Sequence, residues 1–249
     1  MIGDNYKGPV PGVQSNFYYS HQVVNGNTIA EVHRNALYEI IWNRFNVMSV
    51  TEDGEKILEC GPRTYVVRDI TKDRFWDLLP MSERFLDEYT AKFLNGYMCV
   101  NNFEYDYHTR LYHYNHAQDN DIDQIAEIQN KLIKNINTRR AVAVTWKPDV
   151  DNSRKDVPCL QYIQFVVVGD TMHMNVLFRS NDMLSAFASN AYALTTLQKH
   201  VCDYVSRSIN KKLNYGFYNH SAICPHIYYV RDGQECGSVV DYFHNKGMI

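Results

Sequence analysis

Residues 159–182 read CLQYIQFVVVGDTMHMNVLFRSND. Two apolar runs flank Gly169-Asp170, a pair that turns a chain back on itself, so the stretch predicts a β-hairpin. Outward from it, AVAVTW at 141–146 predicts a short strand. Before that, DIDQIAEIQNKLIKNI at 121–136 places Ile122, Ile125, Ile128, Leu132, Ile133 and Ile136 at helical spacing. After the hairpin, MLSAFASNAYALTTLQKHVCDYVSRSI at 183–209 is a long helix rich in Ala and Leu, and HIYYV at 226–230 is a late strand. Upstream, IAEVHRNALYEIIWNRFNVM at 29–48 carries Ile29, Val32, Ala36, Leu37, Ile40 and Ile41 on one helical stripe. EDG at 52–54 is a turn, and EKILECGPRTYVVRDI at 55–70 is extended with a break at Gly61-Pro62. SERFLDEYTAKFLNG at 82–96 is a helix capped by Ser82 and stopped at Asn95-Gly96. Residues 1–28, rich in Gly, Asn and Pro, read as an extended arm. Mixed strands and helices without repeat or linker predict one α/β (α+β) domain over 1–249, with a large mixed twisted sheet flanked by helices.

Composition narrows the function. Of 249 residues, 45% are hydrophobic and 21% charged, which is globular in character. No apolar run reaches the length of a membrane span, and MIGDNYKGPVPGVQSNFYYS lacks the basic and apolar regions of a signal peptide. A cytoplasmic protein without a membrane partner is expected. The six cysteines are scattered with no C-x-x-C pair, against a zinc ribbon or disulfide scaffold. A formal net charge of -3 disfavours bulk nucleic-acid binding, yet a phosphate site needs only a few arginines.

Several polar residues fall at the ends of these elements. Arg139 and Arg140 lie where a helix gives way to a strand, Cys159 opens the next strand, and Arg179-Ser180-Asn181-Asp182 close the hairpin. Asn190 lies in the long helix, and His226 and Tyr228 alternate on the late strand. Each has an ordinary explanation: a solvated helix end, a cap, a satisfied core polar group, a buried filler thiol. Together they fit a different purpose. Guanidinium groups bind phosphate bidentately, an amide offers donor and acceptor to a flat base, and a thiol near arginines is expected to have a lowered pKa and become nucleophilic. Such a set would hold a nucleotide monophosphate beside a reactive thiol. A Cys159–His226 hydrolase would leave the arginines unused. His108, His113 and His116 lack a metal-motif spacing, so no metal is expected.

The segments NTRRAVAVTW, VPCLQYIQF, FRSNDMLSAFASNAYAL and PHIYY, within residues 84–230, together resemble the thymidylate synthase family, which includes the pyrimidine nucleotide hydroxymethylases. The resemblance implies that Cys159 is the nucleophile adding to C6 of a pyrimidine. Tyr107 would assist removal of the C5 proton, Asp182 would touch the base, and Glu88 would organise active-site water. It implies that Arg179, Ser180 and Arg63 bind the phosphate, that Asn190 reads the base, and that His226 and Tyr228 bind the sugar. Arg139 and Arg140 would be donated across a homodimer to the partner's phosphate. The implied co-substrate is 5,10-methylene-tetrahydrofolate, the implied reaction dUMP to dTMP, with a hydroxymethylase acting on dUMP, dCMP or CMP as the alternative and a non-catalytic nucleotide binder as the second. Lys211 and Lys212 could attract folate glutamates, and the tail HNKGMI could fold over the folate. Leu160 stands where the family has His, Phe178 where it has Gln, and the stretch from Asp182 to Asn190 is shorter, which marks a divergent, archaeal-like or viral branch.

Overall fold

In a computed structural model, whose described residues are 22–42, 46–76, 78, 81–96, 105–115 and 121–248, the hairpin forms from β6 (Leu160–Val168) and β7 (Thr171–Asp182). Gly169 makes the turn at φ +66°, a conformation that costs a residue without Cβ nothing. Alternation then decides the faces of β7. Met172, Met174, Val176 and Phe178 are buried, while His173, Asn175 and Leu177 are only partly covered.

The hairpin is part of an eight-stranded sheet. Its other strands are β1 (Gln22–Gly26), β2 (Val47–Val50), β3 (Lys56–Glu59), β4 (Arg63–Val67), β5 (Val142–Val144) and β8 (Asn214–Ile227). The order β1-β4-β8-β7-β6-β5 combines parallel pairs β1/β4 and β7/β8 with antiparallel neighbours, and the β2/β3 ribbon joins β8 at Ile227 and His226. The expectation of a large mixed sheet flanked by helices is met.

Helices α1 (Ile29–Trp42) and α6 (Phe187–Ser208) cover one face. Ile29, Val32, Ala36, Leu37 and Ile40 are buried there, as their stripe predicts. Between them in sequence come α2 (Glu83–Asn95), α3 (Tyr107–Tyr112), α4 (Gln124–Lys134) and α5 (Pro148–Asp151). Ser82 caps α2 by accepting the Phe85 N–H at 3.2 Å, and Gly96 ends it at φ +69°. The opposite sheet face keeps Val144, Phe217 and Ile223 exposed and Tyr162, Val166 and Leu177 half-buried. No described helix is long and apolar enough to cross a membrane.

Three expectations are corrected. The first helix stops at Trp42 rather than Met48, because buried Asn46 donates its amide to the carbonyls of Glu39 and Ile40, and Val47–Val50 then pairs as β2. The late strand is not 226–230 but β8, fourteen residues from Asn214, and Tyr228 to Val230 lie beyond its end. An unforeseen helix, α7 (Gly233–Asn245), packs Phe243 against Tyr38, Trp42 and Trp76. Of the arm, residues 22–26 form edge strand β1; residues 1–21 lie outside the described residues.

Candidate active site

Cys159 lies one residue before β6, and its carbonyl accepts the Arg179 N–H at 2.8 Å, so it is locked to β7. The register slips between Leu160 and Tyr162, a bulge of the kind that re-aims side chains beside functional sites. From α3, the Tyr107 hydroxyl accepts the Leu160 N–H at 3.1 Å. Tyr105 stands beside it, with its ring 5.6 Å from that of Tyr107. The Tyr107 phenol thus grips the peptide group that follows the thiol. Burial pushes the Tyr105 phenol up to about 12 and that of Tyr107 well above its ordinary range, so both keep their protons near neutrality.

The thiol departs from expectation. Burial raises its pKa more than the Arg179 charge lowers it, and Asp182 adds to the rise. The Arg179 guanidinium is turned towards backbone, Nε donating to the Pro158 carbonyl and Nη2 to that of Val157, both at 3.0 Å. It braces the loop that holds Cys159 and still remains exposed.

Beyond Arg179 the strand ends converge. Ser180 stands opposite Cys224 and Asp182 opposite His226 across β7/β8. His226 Nδ1 lies 3.0 Å from the Cys224 carbonyl and 3.4 Å from Ser180 Oγ, whereas its buried Nε2 has no partner. Tyr228 stands edge-on to His226 at 5.0 Å, and its pKa is raised mainly by burial, with Asp182 and Cys159 adding to the rise. Asp182 accepts the N–H groups of Leu184 and Ser185 at 3.0 and 3.1 Å and pairs with Arg231 Nη2 at 2.8 Å. Arg231 in turn covers the Tyr228 ring at 3.8 Å. Asn190, buried on the first turn of α6, accepts the Tyr89 hydroxyl at 2.7 Å. Cys159, Tyr107, Arg179, Ser180, Asp182, His226 and Tyr228 therefore border one region, and Asn190 is held by Tyr89 of α2.

Other candidates lie elsewhere. Glu88 is corrected: its side chain is 58% exposed and bound by Arg84 at 2.9 Å, while the next residue, Tyr89, faces the site. Arg63 is corrected too, since it is buried and donates to the carbonyls of Gly61 and Pro62 instead of presenting itself to a ligand. Arg139 and Arg140 are exposed beside Gln164, which is five residues along β6 from Cys159, about 16 Å at strand rise. That separates both from Arg179 of the same chain. Lys211 and Lys212 precede Asn214, which pairs with Thr171, eight residues from Arg179 or about 26 Å, too far to serve this end of the sheet. The Met248 carbonyl is held by the Tyr38 hydroxyl at 3.1 Å, which docks the tail on α1; Ile249 is outside the described residues.

The histidines of the α3 region have local roles. His108 stacks on Tyr112 at 4.6 Å and His113 bonds Asp121 at 2.7 Å; His116 lies outside the described residues. Among the described residues no group of three His, Cys, Asp or Glu could hold a metal. Leu160 and Phe178, where the family's His and Gln would stand, are fully buried opposite one another, and Phe178 stacks on His220 at 4.3 Å. Apolar packing thus replaces two polar groups at the floor of the site.

Sequence reasoning missed Tyr89, Tyr105 and Arg231. It also missed the bidentate Arg110–Asp151 pair, at 2.5 and 3.0 Å, which ties α3 to α5 under the site. Arg110 lies three residues after Tyr107, one turn along the same helix, and that spacing was the available signal.

Comparison with known proteins agrees with this geometry. The thymidylate synthase family model matches residues 36–231. A protein of Methanocaldococcus jannaschii named "Putative thymidylate synthase" is 39% identical over 199 residues, 75% of this chain and 86% of the relative. Proteins of the same name from Methanococcoides burtonii and Methanosarcina mazei are 34% and 32% identical, each covering 74% of this chain and 82% of the relative. The chain is an enzyme of the thymidylate synthase family.

Proposed function

We propose that this enzyme transfers a one-carbon unit from methylene-tetrahydrofolate to C5 of a pyrimidine nucleotide monophosphate, converting dUMP to dTMP in the cytoplasm. The observation that carries the reading is the grip on Cys159: a thiol fixed at the start of β6 by the Tyr107 phenol on the next peptide group and by the Arg179 N–H on its own carbonyl. The unpartnered Nε2 of His226 fits the sugar hydroxyl of such a ligand, because a buried imidazole nitrogen requires a partner.

C5 of uracil is a poor carbon nucleophile. As Cys159 Sγ bonds to C6, the thiol gives its proton to solvent and the ring density moves to C5 and O4. This splits one hard step into easier ones. Asn190 Nδ2–H would meet the charge at O4. Arg179 and Ser180 hold the phosphate, and His226 with Tyr228 hold the sugar, so C6 is presented to sulfur in a fixed orientation. The folate supplies the one-carbon unit and then a hydride. When C5 has bonded to that unit, its proton leaves to solvent beside the Tyr107 hydroxyl, the folate departs with the electron pair of its bond to the unit and returns a hydride to it, and sulfur leaves as thiolate as the C5–C6 double bond returns.

The open sheet face gives a reason for a second copy. Val144, Tyr162, Val166, Leu177, Phe217 and Ile223 form an apolar surface of the type that marks association. Arg139 and Arg140, stranded from their own Arg179, would supply phosphate contacts across that face.

Mass spectrometry of the product from dUMP and methylene-tetrahydrofolate tests the reading. It predicts dTMP with equimolar dihydrofolate. A hydroxymethyl product with tetrahydrofolate would make the enzyme a hydroxymethylase, and no turnover of any pyrimidine monophosphate would refute the proposal.

A further inference from the structure

Arg231 lies outside the motifs quoted above, yet it touches two residues of the site. It stands between β8 and α7, where the Asp232 N–H donates to the Tyr228 carbonyl at 2.9 Å and turns the chain back. The turn lays the guanidinium over the Tyr228 ring, 3.8 Å from its centroid, a separation at which ring and cation attract. Nη2 reaches across to Asp182 at 2.8 Å, while Nε and Nη2 fork onto the two oxygens of Asp232, each at 2.7 Å.

Both carboxylates are committed to this arrangement. Asp232 is the N-cap of α7, where an aspartate ordinarily accepts a helix N–H, but its side chain makes no capping bond and serves Arg231 instead. Asp182 accepts the Leu184 and Ser185 N–H groups, the Ser185 hydroxyl and Arg231. With those donors in place its carboxylate has no lone pair left for a ligand. A lone exposed ion pair holds little, and the Arg231 side chain is 43% exposed. Here, though, a planar group is fixed along its edge by two carboxylates that are only 12% and 17% exposed, and on its face by a ring.

Tyr228 depends on that brace. Among the described residues its hydroxyl has no hydrogen-bond partner, and its ring meets His226 edge-on at 5.0 Å and Arg231 face-on. We propose that Arg231 is a positioning residue for the nucleotide: braced by Asp182 and Asp232, it fixes the Tyr228 ring so that the phenol meets the sugar. The inference rests on the nucleotide reading of the site, and Arg231 acts through Tyr228 without touching the substrate.

Titration calorimetry of wild type with dUMP, UMP, dCMP and CMP first selects the nucleotide bound tightest. That nucleotide is then measured with Arg231→Met, Tyr228→Phe and the double variant, together with steady-state kinetics in nucleotide and in methylene-tetrahydrofolate. Arg231→Met should raise the nucleotide Kd and KM about tenfold and leave the folate KM and the kcat within about twofold. Tyr228→Phe keeps the ring but lacks the hydroxyl that the placement serves, so adding Arg231→Met to it should not weaken the nucleotide further. A general structural role would weaken folate as well, and the two substitutions would add. Arg231→Gln, which also lacks the charge, replaces the methionine variant if that does not fold. Wild type that binds no pyrimidine monophosphate overturns the nucleotide reading and this inference with it. Wild type that binds one, with an unchanged Kd in Arg231→Met or additive losses in the double variant, overturns the role of Arg231 alone.

Discussion

At the scale of single residues, the site is governed by how burial competes with charge at Cys159. The Arg179 guanidinium pulls the thiol towards ionisation, but desolvation outweighs it. Thiolate therefore forms only above the ordinary range of a free thiol, roughly 8.5. The rate at which iodoacetamide alkylates Cys159, followed by peptide mass spectrometry, should still be rising at about pH 9, and Arg179→Met should move the rise higher. A plateau below about pH 8 would contradict this. The sequence made Cys159, Arg179, Ser180 and Asp182 legible because strand alternation and one hairpin register bring them together. It misplaced Glu88 because one residue turns a helix by about 100°, so a slip of one exchanges an exposed carboxylate for the phenol of Tyr89. Tyr105 was illegible for another reason. It lies before the Asp106 cap of α3, where no period governs direction.

At the scale of elements, α3 is the part whose placement matters most, because it carries Tyr107. Six residues cannot hold a helix by themselves, and α3 is tied down by Arg110. That guanidinium donates to Asp151 and to the Thr145 carbonyl, while Asp151 also receives the Lys147 N–H at 2.7 Å. Asp151→Ala would strand a buried cation and should cost about 3–5 kcal/mol in denaturant unfolding. Replacing the pair together, Arg110→Met with Asp151→Leu, should cost clearly less. Equal losses would show that the pair is no strut. The missed elements share a cause. β8 buries Tyr218, His220 and Ala222 rather than an aliphatic run, with His220 satisfied by Tyr218 at 2.8 Å and Asn181 at 3.1 Å. Helix α7 buries only Cys236, Val239 and Phe243, a sparse stripe between glycines. The hairpin and α1 were legible because their apolar spacing is dense.

At the scale of the molecule, one sheet separates a helix-covered core from an open apolar face. The proposed pairing of copies through that face predicts complementation. Mixing an Arg139→Ala/Arg140→Ala chain with a Cys159→Ala chain should restore activity that neither has alone, since a hybrid dimer holds one complete site. Proven heterodimers without recovery would exclude sharing. The central claim, that Cys159 attacks C6 of a pyrimidine nucleotide, has a more direct test that does not require turnover. A 5-fluoropyrimidine carries fluorine where C5 must lose a proton, so the reaction stops with nucleotide and folate still attached to the enzyme. Intact-protein and peptide mass spectrometry of enzyme incubated with 5-fluoro-dUMP and methylene-tetrahydrofolate should find that ternary adduct on the peptide containing Cys159, and none in Cys159→Ala. No adduct on wild type, or an adduct on another cysteine, would contradict the account.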